Sequence, residues 1–231
     1  MDFLQKIDVA SVLIQFAVLL FSLSLHEAAH AWMADSLGDY TARSLGRVTL
    51  NPLAHVDPIG TIIFPILQML THLPLIGWAK PVPINPVHLK NPQRDQIWIS
   101  IAGPGANLLA GAVSFVVLAI LKLTSAQAGG LMIHLIHSFQ IPHEKTIIAP
   151  LMGMIFFALI INLALALFNL IPIPPLDGHW MLYAILPYNA ARGLEKVGSY
   201  GFILLYGLMF LGVFQVIFIP VRWVLALLIV L

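Results

Sequence analysis

The uncharged run from Val9 to Leu25 flows directly into His26-Glu27-Ala28-Ala29-His30, and its apolar character continues to about Met33. A helix of this length spans most of a bilayer core, which takes about 20 residues for roughly 30 Å of hydrocarbon. Ionisable side chains at that depth are costly, so their default reading is functional. Residues four apart share one helix face, so the imidazoles of His26 and His30 can hold one Zn²⁺ between them. Glu27, lying between them, is placed to take a proton from a water activated there. A chain built on this helix is expected to carry hydrolytic metal chemistry inside a membrane.

Composition agrees with a membrane setting. Of 231 residues, 60% are hydrophobic and 9% charged, with a mean hydropathy of +0.94, whereas about a quarter of the residues in soluble domains are charged. A net charge of +1 with no basic run gives no electrostatic footprint for nucleic acid. Cysteine is absent, so a metal must be held by nitrogen and oxygen. The first apolar segment lacks a cationic flank and a small-residue cleavage site and carries the metal motif itself, so it reads as a retained helix rather than a signal peptide. With no repeat or linker in view, residues 1–231 are expected to form a single membrane-embedded domain.

Four stretches are long enough to cross: Val9 to about Met33, Ile97 to Leu121, Ile147 to Ile171 and Tyr200 to Ile219. A fifth, Ile59 to Leu70 with an extension to Trp78, is interrupted by Pro65, His72, Pro74 and Gly77 and can either cross or dip in and return. Trp223 to Leu231 is too short to span after Pro220 and Arg222 and is expected at the interface. The expected class is an all-α polytopic membrane protein, with about four to six transmembrane helices, a re-entrant segment and short β-like loops near the active site.

A catalytic zinc takes three protein ligands and keeps one position open. Asp177, in Asn169-Leu-Ile-Pro-Ile-Pro-Pro-Leu-Asp-Gly178, is the candidate for the third. Pro172, Pro174 and Pro175 stop the helix before it and Gly178 lets the chain turn, so the carboxylate stands on irregular backbone at the helix end. If Asp177 meets His26 and His30, the first and third long helices run parallel. An odd number of crossings must then separate them, so Ile59 to Leu70 is re-entrant, provided that Leu131 to Ile141 does not cross either. With that topology Arg43, Arg47, Lys80, Lys90, Arg94, Arg192 and Lys196 share the metal end, against Lys6, Lys122, Lys145 and Arg222 at the other. Basic residues favour cytoplasmic loops, so the metal end is expected to face the cytosol.

His26-Glu-Ala-Ala-His30, Gly103-Pro-Gly-Ala-Asn107 and Phe168-Asn-Leu-Ile-Pro-Ile-Pro-Pro-Leu-Asp-Gly178 together resemble the site-2 protease family of intramembrane zinc metalloproteases. Asn51-Pro-Leu-Ala-His-Val-Asp-Pro-Ile-Gly-Thr61 and Gly77-Trp-Ala-Lys-Pro-Val-Pro-Ile-Asn-Pro86 further resemble a compact bacterial-type branch without inserted PDZ or CBS domains. The resemblance runs from about His26 to Trp180. It implies one zinc ion per chain held by His26, His30 and Asp177, Glu27 as catalytic base, and Asn107 near the active site in substrate or oxyanion positioning. It also implies membrane-protein substrates, a lipid-bilayer setting and residence in a bacterial cell membrane. His179 departs from the small residue usual in such chains and is a spare ligand, a partner of a ligand or, the reading preferred here, a surface histidine.

A helical substrate hides its carbonyls in its own hydrogen bonds and must unwind before cleavage. Gly46 to Asn51 and Lys80 to Pro86 are strand-like and could offer an edge for the unwound segment, or be plain interfacial turns. His55 and Asp57 either stabilise their loop or act near the metal. His134 and His137 are expected to be interfacial polar residues, with Glu144 the first carboxylate after them. Asn162 and Asn169 share a helix face and suit interhelical hydrogen bonding, and Asn169 could also line the cavity. Gly103, Gly105, Ala106, Ala110 and Gly111 are small residues suited to close helix packing. A zinc-dependent transporter and a non-catalytic membrane scaffold are the competing functions. The first is disfavoured by Glu27 between the ligands and by the lack of repeats, and the second by the intact motifs.

Overall fold

The computed structural model describes residues 8–71, 76–142, 147–187, 190, 193–194, 196 and 198–231. His72, Pro74, Glu144, Lys6, Lys145 and Arg192, which entered the reading above, lie outside the described residues.

Three long helices form the frame: α1 (Val9–Ser36), α4 (Pro92–Thr124) and α6 (Ile148–Asn169). Each is long and apolar enough to cross a membrane. Asp8 caps α1 by accepting from the backbone N–H groups of Ala10 and Ser11. Gly38, at φ +106°, takes the left-handed turn that follows it, a conformation glycine adopts without a Cβ penalty. Asn91 precedes Pro92 at the first turn of α4, where a missing N–H costs nothing. The helix α6 ends at Asn169 with Leu170 as its C-cap, just before the proline-rich segment.

Between α1 and α4 lie α2 (Thr41–Ser44) and a π-helical turn over Pro58–Ile63 that continues into α3 (Phe64–Thr71). After α4 come α5 (Ala126–Ser138) and, beyond α6, α7 (Gly178–Ile185), α8 (Gly201–Phe210), α9 (Val213–Ile217) and α10 (Ile219–Val230). The principal core lies among α1, α4, α5, α6 and α10, where Leu118, Met132, Leu135, Phe156 and Leu228 are fully buried.

Two contacts fix the helix directions. Ile141 donates its N–H to Ser11 Oγ at 2.9 Å, tying the segment before α6 to the start of α1. Asp177, just after α6, lies against His26 and His30 in the second half of α1. The helices α1 and α6 therefore run parallel with α4 antiparallel between them, and α5 links the end of α4 to the start of α1 without crossing. The α3 segment returns to its point of departure: Trp78 donates its N–H to the Gly60 carbonyl at 3.2 Å, and Thr61 Oγ1 donates to the Trp78 carbonyl at 2.8 Å. That pairing is the geometry of a re-entrant segment.

The architecture is that of an all-α polytopic membrane protein, with one departure from expectation. Tyr200 to Ile219 is not one helix but is broken around Gly212, at φ +76°. Trp223 to Leu231 lies in α10, whose 12 residues are too few to span and whose first turn holds Pro220. Leu228 is fully buried, and Lys122 Nζ donates to the carbonyls of Leu228 and Ile229 at 2.6 and 2.7 Å. No β-ladder occurs among the described residues. Lys80 donates its N–H to the His55 carbonyl at 2.9 Å, but Pro81 and Pro83 have no N–H to give and Val82 and Asn85 donate theirs to the carboxylates of Glu27 and Asp39, so no ladder extends along the segment.

Candidate active site

His26 and His30 face the same side of α1, and the irregular turn after α6 brings Asp177 to them. His26 Nε2 lies 3.0 Å from His30 Nε2 and 3.0 Å from Asp177 Oδ2, and His30 Nε2 lies 3.2 Å from the same oxygen. Among the described residues this is the one group of three such side chains able to hold a metal ion. His134 and His137, on α5, acquire no third ligand among the described residues.

The outer ring nitrogens explain why these three atoms need a cation. His30 Nδ1 lies 2.6 Å from the Ile99 carbonyl, which only accepts, so Nδ1 carries the proton and Nε2 presents a lone pair. His26 Nδ1 lies 2.5 Å from Asn107 Oδ1, with the same consequence. Two imidazole lone pairs and a carboxylate oxygen thus converge with no donor among them. Separations of 3.0–3.2 Å suit one ion at about 2.0–2.2 Å from each donor. The nitrogen and oxygen donor set fits zinc. Gly103 on α4 makes room for it: a Cβ there would collide with His30 Nε2 and stand 2.7 Å from His26 Nε2.

Glu27 also lies on α1 and accepts the Val82 N–H at 3.2 Å through Oε2. With His26, His30, Asp177 and Asn169 it lines a cavity of about 480 Å³. A second cavity of about 690 Å³ runs toward Ser11 and Gln140 and shares Leu23, Ile76, Gly77, Leu165 and Phe168 with the first.

The segment roofing the site is pinned from behind. Arg47 donates through Nη2 to the Lys80 and Pro81 carbonyls at 2.5 and 3.2 Å. Asp39, fully buried, accepts from the Asn85 N–H at 2.7 Å and pairs with His88 Nδ1 at 3.0 Å. Burial acts to raise the Asp39 carboxyl, but its bonds from Thr41, Asn85 and His88 prevail and hold it below its ordinary value.

Asn107 lies beside the site, against the outer ring nitrogen of His26. Its side chain is fully buried and absent from the cavity lining, with its amide committed to His26, Ser22 and Asn162. It backs a histidine, whereas Asn169 at the end of α6 reaches the cavity. The signal for Asn169 was present in the sequence, in the segment that carries Asp177. His179 is half-buried, bonded through Nδ1 to the Leu176 carbonyl and stacked near Trp180, outside the ligand group. Burial pushes its imidazole down, against the Leu176 carbonyl and Asp177. His55 and Asp57 serve their loop: His55 Nε2 donates to the Thr49 carbonyl at 2.8 Å, and Asp57 caps the π-helical turn.

Residues 14–211 match the profile of Peptidase family M50. The chain belongs to that family. It is similar to a protein of Bacillus subtilis (strain 168) named "Putative zinc metalloprotease YwhC", at 34% identity over 187 residues, covering 80% of this chain and 74% of that one. It is also similar to "Putative zinc metalloprotease Rip2" of Mycolicibacterium smegmatis, at 32% identity over 190 residues, covering 82% of this chain and 64% of the relative. The Rip2 protein of Mycobacterium tuberculosis (strain H37Rv) is 29% identical over 187 residues, covering 80% of this chain and 62% of the relative. The chain thus spans less than two thirds of the length of either Rip2 protein. No solved structure matches it. As an M50 peptidase with a His-His-Asp cluster on membrane-length helices, the chain is an intramembrane zinc metalloprotease.

Proposed function

We propose that this M50 peptidase hydrolyses peptide bonds within or near the transmembrane segments of single-span membrane proteins, working as one membrane-embedded domain with its zinc end toward the cytoplasm. The observation that carries the reading is the convergence of three lone-pair donors beside Glu27, on helices otherwise committed to an apolar phase. His26, His30 and Asp177 hold the zinc. The bound ion supplies Lewis acidity, making water a nucleophile near neutral pH and polarising the scissile carbonyl.

Glu27 is the base. Its carboxylate takes the proton of the attacking water and passes it to the leaving amine as the C–N bond breaks. Asn169 lines the cavity, and its amide, which gives one proton to the Leu165 carbonyl at 2.9 Å, has a second to offer the substrate carbonyl oxygen as it gains charge, while Asn107 acts behind His26. The larger cavity, which shares Leu165 and Phe168 with the first as lining residues, receives the flanking apolar part of the substrate. An unwound substrate beside the extended Lys80 to Pro86 segment recovers backbone hydrogen bonds by lying along it. A bound peptide that remained helical throughout the site would exclude this.

Charge supports the orientation. Arg43, Arg47, Lys80, Lys90, Arg94 and Lys196 lie toward the metal end, against Lys122 and Arg222 toward the other. The test is purified chain in detergent or vesicles, incubated with single-span proteins and assayed for cleavage products and bound metal. Cleavage that is abolished by chelation and by Glu27→Gln, with zinc retained in that variant, is expected. Undiminished cleavage by Glu27→Gln would overturn the reading.

A further inference from the structure

The two histidines are held by different devices. His30 is oriented by the Ile99 carbonyl, a backbone group that no substitution deletes. His26 is oriented by a side chain, and an amide can face either way. With its oxygen toward His26, Asn107 makes Nδ1 the donor and leaves Nε2 free for the metal. Turned over, its NH₂ would face Nδ1, move the ring proton to Nε2 and remove the ligand.

Something must therefore fix the Asn107 amide, and α6 supplies it. Asn107 Nδ2 donates to Asn162 Oδ1 at 2.7 Å and to the Ser22 carbonyl at 3.2 Å. Asn162 is itself oriented, because its Nδ2 donates to the Ala158 carbonyl at 2.8 Å and to Ser22 Oγ at 2.9 Å. Both carbonyls only accept, so each amide has one satisfactory orientation, and the polarity set at Ala158 passes through Asn162 and Asn107 to His26. All four side chains of the relay, Ser22, His26, Asn107 and Asn162, are buried, so water cannot substitute for a missing partner without entering the core.

We propose that Asn162, with Ser22, is a positioning residue for the zinc site: it locks the Asn107 amide in the orientation that makes His26 a metal ligand at Nε2. The inference rests on the assignment of His26 as a ligand in the proposed function. Partners one step behind a metal ligand commonly change metal affinity by roughly 10–100-fold.

The test is zinc affinity, measured on the full chain in detergent by competition with a chelator of known affinity, alongside thermal unfolding of the zinc-free protein. Asn162→Leu removes both the acceptor and the donors and is expected to weaken zinc binding by about 10–100-fold. Asn162→Asp keeps an acceptor toward Asn107 and is expected to recover most of that loss. Asn107→Asp, whose two oxygens need no orienting, is expected to make zinc affinity insensitive to Asn162→Leu. If Asn162→Leu does not fold, Asn162→Ala carries the same expectation. A parental zinc affinity in the Leu or Ala variant, or equal losses in the Asp and Leu variants, would overturn the proposal, since a merely structural residue would move the unfolding temperature alone. Failure of the unmodified chain to bind zinc would instead overturn the function on which the proposal rests.

Discussion

Gly103→Ala separates the metal site from the fold more sharply than any change to a ligand. The added Cβ would lie 2.7 Å from His26 Nε2 and closer still to His30 Nε2, where ordinary carbon contacts need about 3.5 Å. The imidazoles must therefore retreat by roughly an ångström, against a tolerance of about 0.2 Å in metal–ligand distance. Misplacement on that scale costs about 100-fold in rate. The fold itself pays less: overpacking costs about 1–3 kcal/mol, while alanine gains about 0.8–1.0 kcal/mol over glycine within a helix. We expect a chain that folds with an unfolding temperature within several degrees of the parent, binds zinc substoichiometrically in metal analysis, and cleaves at least about 100-fold more slowly. Gly105→Ala is the control, because nothing lies within 4 Å of its Cβ position. Parental zinc content and activity in Gly103→Ala would refute the placement of the ligand rings against α4.

Glu27→Gln should retain zinc and lose about 10²–10⁴-fold in turnover, read from single-turnover cleavage at saturating substrate. Arg47→Met should leave metal content unchanged but release the Lys80 and Pro81 carbonyls, lowering cleavage and increasing protease nicking of the 79–85 segment. The Asp39 carboxyl is depressed by its hydrogen bonds, so its contribution to stability is present above the unfolded pKa of about 3.9 and is lost as pH falls through the lower folded value. Hydrogen exchange at the amide of Asn85 should accordingly stay slow at pH 5 and rise only in stronger acid, whereas Asp39→Ala should expose that amide at every pH.

The parallel pairing of α1 with α6, the re-entrant return and the meeting of His26, His30 and Asp177 were all legible because one constraint linked them: three ligands must share a depth. The contacts of Asn107 behind His26 were not legible, because a motif reports that a residue matters without reporting which way its side chain points. The small residues of α4 show the same gap. They were read together as packing positions, yet Gly103 clears the histidine rings, Gly105 meets nothing within 4 Å, and Gly111 approaches Leu163 on α6. The break at Gly212 was hidden because hydropathy registers the length of an apolar run and not the positive φ that interrupts it.

The buried polar groups divide according to what surrounds them. Within the apolar lengths of α1, α4 and α6, where an unpaired polar group is most expensive, Ser22, His26, Asn107 and Asn162 form one connected set, and His30 closes on a backbone carbonyl. The buried side-chain atoms without a partner among the described residues are Asp35 Oδ1, Arg47 Nε and His55 Nδ1, all at or beyond the end of α1 on the metal side. Pairing is thus complete around His26 and His30 and incomplete at Asp35, Arg47 and His55, while Arg47 Nη2 and the fully bonded Asp39 still hold the extended segment over Glu27 from behind.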